Sequence, residues 1–292
     1  MYLKNARIIT AMATPFDEQG AVDYDRLEKL INFLLANGTE GLVVGGTTGE
    51  SPTLTHDEKL ALYRKTVELT AGRVPIIAGT GSFNTAETIA FTKEVEAISG
   101  IDAALVVAPY YSKPNQAGLY AHFEAVANST TLSIIIYNVP GRTSVSIDPK
   151  TTIQLSMIEN IIGVKECLGL DAVSEEIEKS SDDFLVYTGE DGNAYPAKCI
   201  GATGVISVAS HVLGNDMTKM YDLLEEKQLS KAAEIHRQLV PKMNSLFTVP
   251  SPAPVKFALN HLGVDVGGVR LPLVACTNEE EDYLLNELNW KK

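Results

Sequence analysis

The 292-residue sequence predicts a (β/α)8 barrel on three observations. Short, β-branched apolar runs alternate with longer segments of helical period, and eight such runs occur in order. From the third run to the sixth, the starts fall 29 residues apart. Apolarity that is continuous rather than alternating suits strands covered on both faces, as in a parallel sheet with helices outside. Eight consecutive βα units favour a closed ring over a doubly wound sheet, because eight is the usual number in such a ring.

Taken in order, the strand runs are ARIITAMA (6–13), GLVVGG (41–46), VPIIAGT (74–80), AALVVAP (103–109), LSIIIYNV (132–139), IIGVKEC (161–167), DFLVYTG (183–189) and GVISVAS (204–210). The segments between them carry helix signals. Thr55 and Glu58 fit a capping box, and Asn84 with Glu87 offers a similar start. Gly38, Gly72 and Gly100 stand where helix C-termini need a left-handed residue. Strand signals stop after residue 212. Three helical segments follow, one of them running past Pro241 with a kink expected there. Residues 1–225 are expected to form the barrel, and 226–292 a C-terminal helical region packed on it.

Composition removes several function classes. A net charge of −13 with no run of five or six like charges argues against nucleic-acid and anionic-membrane partners. No secretory signal and no apolar run of roughly 18 residues is present, so a cytoplasmic location is expected. Cys167, Cys199 and Cys276 form no CxxC pair and read as reduced, small core residues. His56, His122, His211, His236 and His261 show neither HxH nor HExxH spacing, so no catalytic metal and no cofactor are expected. The GTTGES stretch lacks the lysine of a phosphate-binding P-loop.

In a (β/α)8 barrel the reactive groups lie at the C-terminal ends of the strands. Lys165 holds that position in the sixth run. An ordinary lysine, with a pKa of about 10.4, is a charged ammonium at neutral pH. Burial among Ile161, Ile162 and Val164 is expected to lower that pKa and free a neutral amine able to attack a carbonyl. The sequence leaves a second assignment open, in which Lys165 pairs with a carboxylate such as Glu166 or reaches to the rim. Tyr137, near the end of the fifth run, stands at the barrel mouth, where a tyrosine close to the lysine can relay protons. Arg142 follows on a Pro/Gly-shaped loop and offers a fork for a carboxylate. Thr47 and Thr48 bring two hydroxyls and several N–H groups to a tight turn after the second run. Tyr110 and Tyr111 stand on the loop after the fourth, placed for catalysis or for an interface.

These motifs together, TPF (14–16), GTTGE (46–50), PYY (109–111), YNVPGRT (137–143), GVKE (163–166), GVISV (204–208) and RLPL (270–273), resemble the class I pyruvate aldolases of the N-acetylneuraminate lyase superfamily over nearly the whole chain. The resemblance implies that Lys165 forms a Schiff base with pyruvate. The resulting enamine adds to L-aspartate 4-semialdehyde, a step of lysine and diaminopimelate biosynthesis. It further implies a proton relay through Thr47, Tyr137 and Tyr111, the last reaching into a neighbouring subunit of a homotetramer built from two tight dimers. Thr48 corresponds to a pyruvate-carboxylate ligand and Arg142 to the receiver of the aldehyde's carboxylate. Gly189 and Ile206 flank the Schiff base, the latter through its carbonyl. N-acetylneuraminate lyase itself typically has serine at the place of Thr47 and lacks an arginine like Arg142. A non-catalytic carboxylate-binding regulatory barrel would be expected to have lost Lys165 or Tyr137. The lysine-inhibited members carry an allosteric site to which Ser51, His56, Glu87 and Tyr110 correspond. Lys59 and Phe83 depart from its usual histidine and asparagine, and a cation at 59 would repel the ligand's ammonium. Weak or absent inhibition by lysine is therefore expected.

Overall fold

The computed structural model describes residues 3–290, and in it the strands form one closed barrel in sequence order. They are β1 (Ile8–Ala11), β2 (Gly41–Val44), β3 (Ile76–Gly79), β4 (Ala103–Val107), β5 (Ser133–Asn138), β6 (Ile161–Glu166), β7 (Leu185–Thr188) and β8 (Gly204–Ser207). Each lies inside one of the eight runs read from the sequence. The helices are α1 (Tyr24–Ala36), α2 (His56–Thr70), α3 (Thr85–Glu96), α4 (Gln116–Ala127), α5 (Pro140–Thr143), α6 (Pro149–Leu155), α7 (Leu170–Lys179), α8 (Ala194–Cys199), α9 (Ser210–Glu225), α10 (Leu229–Ser245), α11 (Ala253–His261) and α12 (Asn278–Leu288). Among the described residues no helix is long and apolar enough to cross a membrane.

The helix starts follow the capping chemistry. The Thr55 hydroxyl accepts from the Glu58 N–H while the Glu58 carboxylate accepts from the Thr55 N–H, closing the expected box. At Asn84 the side chain caps Ala86 and Glu87, but the reciprocal half of a box is absent. The Asn84 N–H donates to Ser82 Oγ instead, and Glu87 accepts from that same hydroxyl. α10 continues through Pro241 to Ser245, as the sequence suggests.

Chain contacts separate into two compact units, one built from residues up to Arg7 with Val74–Ile206, the other from Ile8–Arg73 with the residues from Ser207 on. In the first unit, Val106, Ile134, Ile136, Val164 and Val186 turn one sheet face toward Leu119 and Phe123 of α4 and Val173 of α7, forming a dry layer between strands and helices. Strand side chains alternate, so Ile135, Tyr137, Gly163 and Lys165 take the opposite face, which a closed barrel turns inward. In the second unit, β1 packs against α9, and α9 against α10. His211 Nδ1 lies 2.7 Å from the Val208 carbonyl and Nε2 accepts from the Ala13 N–H, so the ring is neutral with its proton on Nδ1. Burial holds its pKa down at about 4.

Candidate active site at the ends of β5 and β6

Local geometry begins with an irregularity. Ile134 pairs with Ile161, but Ile135 pairs with Gly163, which leaves Ile162 as one extra residue in β6. Beyond this bulge the partners are Tyr137 with Lys165 and Asn138 with Glu166. Without it, Tyr137 would stand beside Val164 and Lys165 beside Asn138. The bulge therefore decides which side chain meets Tyr137.

Lys165 is 6 % exposed, and its amine sits 4.3 Å from the centroid of the Tyr137 ring. Burial is the largest influence on this amine and lowers its pKa. Tyr137, Cys167 and Asp191 act against burial and outweigh it, so the net direction is upward. This corrects the expectation of a resting neutral amine, which considered burial alone. Lys165 rests as an ammonium over an aromatic face and must surrender a proton before it can attack a carbonyl. Cys167 is two residues on, on the same face. Burial pushes its thiol up to about 12, so it is a neutral neighbour rather than a competing nucleophile.

Gly189, just after β7, is required by close approach. A Cβ there would come within 2.3 Å of Cys167 Sγ and 2.9 Å of Lys165 Cε, so any side chain would displace the lysine. The alternative of a Lys165–Glu166 pair is not what the structure holds. Glu166 points to the other sheet face, where Asn138 Nδ2 donates to both carboxylate oxygens at 3.1 and 2.9 Å and the Leu168 N–H donates to one of them.

The remaining expected residues are placed as follows. Arg142 is exposed and lies on α5, a single helical turn begun by Pro140, rather than on a loop. Its guanidinium acts electrostatically on Glu190. Ile206 is buried near the end of β8. Tyr111 is 90 % exposed and takes a left-handed φ of 69°, a conformation unusual for a tyrosine. Phe83 packs edge-on against Tyr110, with ring centroids 5.3 Å apart.

In the second unit, Thr47 and Thr48 sit in the turn after β2, closed by the Glu50 N–H donating to the Thr47 carbonyl and the Ser51 N–H to that of Gly46. The Thr14 hydroxyl donates to the Gly49 carbonyl at 2.7 Å. Glu50, with a φ of 55°, turns fully inward and pairs with Lys256 at 2.7 Å. Ser51 and Lys59 are half-buried and His56 is exposed.

Sequence reading missed the Ile162 bulge, the Asn138–Glu166 pairing, and Cys167 and Asp191 as neighbours of Lys165. Of the cysteines read as core, Cys199 is exposed and Cys167 and Cys276 are only partly buried, and all three are free thiols. Among the described residues no group of three or more His, Cys, Asp or Glu is placed to hold a metal ion. A buried primary amine against a phenol, at the ends of adjacent barrel strands, is an arrangement for imine chemistry with proton transfer.

The chain is similar to known proteins over nearly its whole length. Residues 4–290 match the model of the dihydrodipicolinate synthetase family. The chain is 58 % identical to a 4-hydroxy-tetrahydrodipicolinate synthase of Enterococcus faecalis over 99 % of both chains, and 58 % identical to one of Listeria innocua over 94 % of both. Among solved structures it is similar to a dihydrodipicolinate synthase from Bacillus anthracis, with a TM-score of 0.96 and 49 % identity over 99 % of both chains. It is also similar to the lysine-bound enzyme from Cyanidioschyzon merolae, with a TM-score of 0.94 and 39 % identity over 98 % of both.

Proposed function

The chain belongs to the dihydrodipicolinate synthetase family, and from that premise we propose that it condenses pyruvate with L-aspartate 4-semialdehyde to give 4-hydroxy-tetrahydrodipicolinate, in lysine and diaminopimelate biosynthesis in the cytoplasm. The observation that carries this reading is the buried Lys165 amine set over Tyr137.

Lys165 Nζ loses a proton and adds to C2 of pyruvate. The carbinolamine expels water as the protonated imine forms, and loss of a C3 proton gives the enamine. That carbon bonds to the aldehyde carbon of the second substrate, whose oxygen takes a proton. The substrate's amino group then closes the ring on C2 and releases the lysine. Tyr137, Thr47 and Tyr111 carry the protons, and Thr48 binds the pyruvate carboxylate. Arg142, exposed on its one-turn helix, receives the carboxylate of the semialdehyde. Gly189 leaves room for the lysine, and the Ile206 carbonyl orients the adduct. Tyr111, held out into solvent, completes the relay of a second copy in a tight dimer, and two such dimers form a tetramer. Sedimentation of the purified protein tests that assembly.

The deciding experiment is borohydride trapping with pyruvate and peptide mapping, followed by turnover of aspartate semialdehyde against cleavage of N-acetylneuraminate. No adduct, or cleavage in preference to condensation, overturns the reading. Arg142→Ala is expected to raise KM for the aldehyde about 10- to 100-fold while trapping with pyruvate stays unchanged. A variant that no longer traps pyruvate would assign Arg142 a different role.

At the site corresponding to lysine inhibition, Ser51, His56, Glu87 and Tyr110 are kept. Phe83 instead covers Tyr110 with a ring that has no amide to offer, and Lys59 brings a cation. Burial lowers the pKa of Lys59, which works against its repulsion of the ligand's ammonium. Steady-state rates are expected to be unchanged by sub-millimolar lysine, and inhibition in that range would refute the assignment.

A further inference from the structure

We propose that Asn138 and Glu166, on the sheet face opposite the reactive amine, are positioning residues that lock the strand register bringing Lys165 onto Tyr137. The inference rests on the function proposed above. A side chain in a strand faces the side opposite to its neighbours, so a slip by one residue turns every side chain to the other face. β6 contains such a potential slip, because Ile162 is an extra residue with no partner in β5. Where a bulge sits in a ladder is fixed by contacts on either side of it.

Ile134 on the near side and Ile136 just past the bulge pack into the apolar layer, where one aliphatic side chain can replace another with little directional preference. Beyond the bulge, the Asn138–Glu166 bonds supply direction. Asn138 Nδ2 donates to both Glu166 oxygens and to the Ile147 carbonyl at 2.9 Å, while its Oδ1 accepts from the Ile147 N–H at 3.0 Å. Asn138 is fully buried and Glu166 is 1 % exposed, so no water replaces these bonds if the strands slip. Slipped by one residue, Asn138 would face the Lys165 position and Glu166 would lose the Asn138 amide as a donor.

The pocket is also matched in charge. Glu166 is held above the usual carboxylate range by burial, and Glu176 of α7 rises to about 9, first through burial and then through the Glu166 charge. At neutral pH the pocket therefore holds at most one negative charge. A second carboxylate in place of Asn138 would set like charges together on adjacent strands, a direct push on the register.

The test compares Asn138→Asp, Glu166→Gln and the combined exchange, which moves the carboxylate across the strands at unchanged total charge. The single changes are expected to slow borohydride trapping of pyruvate about 10- to 100-fold. The combined exchange should recover about tenfold of that, with melting temperature followed in parallel. A folded Asn138→Asp variant that traps at the parent's rate overturns the proposal, as does a combined variant no faster than the single ones. Glu166→Gln, which keeps size and an acceptor for the Leu168 N–H, serves if Asn138→Asp does not fold. Crystal structures of the variants supply a readout independent of chemistry: the Lys165 amine should leave the Tyr137 ring in the single variants and return in the exchange. If the parent itself forms no adduct, the functional reading fails, and the crystal structures alone decide the register.

Discussion

Lys165→Ala is expected to lose all borohydride-trapped pyruvate and to lower turnover by roughly 10⁴-fold or more. A second buried lysine is the competing amine. Lys256 is 1 % exposed and burial lowers its pKa to about 8, so on acidity alone it would be the better nucleophile at neutral pH. Its surroundings say otherwise. The Lys256 amine pairs with Glu50 at 2.7 Å and donates to the Gly268 carbonyl at 2.6 Å, and it lies 4.1 Å from the centroid of the Phe16 ring. An amine held by a carboxylate, a carbonyl and a ring face has no free direction from which to reach a carbonyl carbon. Lys165 lies over the ring of a phenol that can relay its proton, taking one as it gives up its own. Peptide mapping of the trapped parent should therefore place the adduct on Lys165 and none on Lys256. An adduct on Lys256, or trapping that survives in Lys165→Ala, sinks the mechanism.

Much of the fold was legible because it depends on short-range signals that a barrel repeats. Ile134–Ile136 and Ile76–Ile77 are continuous apolar runs since both sheet faces are covered, and the Thr55 box marks a helix start without reference to anything distant. The bulge at Ile162 left no such trace. Ile161, Ile162 and Val164 are all apolar, so the pattern is the same whether or not one of them drops out of the ladder. Arg142 was expected on a loop, because Pro140 and Gly141 read as turn residues. Proline also suits the first position of a helix, and a single turn is too short for periodicity to reveal.

The candidate site divides along the same line. Lys165 and Tyr137 stood out because a cation and a phenol break apolar runs. Asn138 and Glu166 break the same runs, yet from sequence they read only as polar strand ends. Their relation is a cross-strand bond between residues 28 positions apart. The upward direction of the Lys165 pKa was hidden for a related reason, as Asp191 comes from beyond the next strand.

Tyr137→Phe carries the second large effect and isolates the proton that Lys165 must lose. Phenylalanine keeps the ring face over which the ammonium rests and removes only the hydroxyl, so the fold and the cation–ring contact are preserved while the hydroxyl's share in raising the Lys165 pKa is lost. Because the pKa of Lys165 is raised, the neutral amine is scarce at pH 7, and its fraction grows about tenfold for each pH unit below that pKa. In the parent, the Tyr137 hydroxyl takes this proton as it passes its own along the proposed relay, so trapping of pyruvate should depend only weakly on pH near neutrality. In the variant the proton must leave to solvent. Single-turnover trapping is then expected to fall by about 10²- to 10⁴-fold at pH 7 and to climb steeply as the pH is raised. The sign follows from the lysine, since alkali restores the nucleophile and acid removes it. A variant with the parent's rate and the parent's slope would mean that another group, with the Asp191 carboxylate the candidate, accepts the proton.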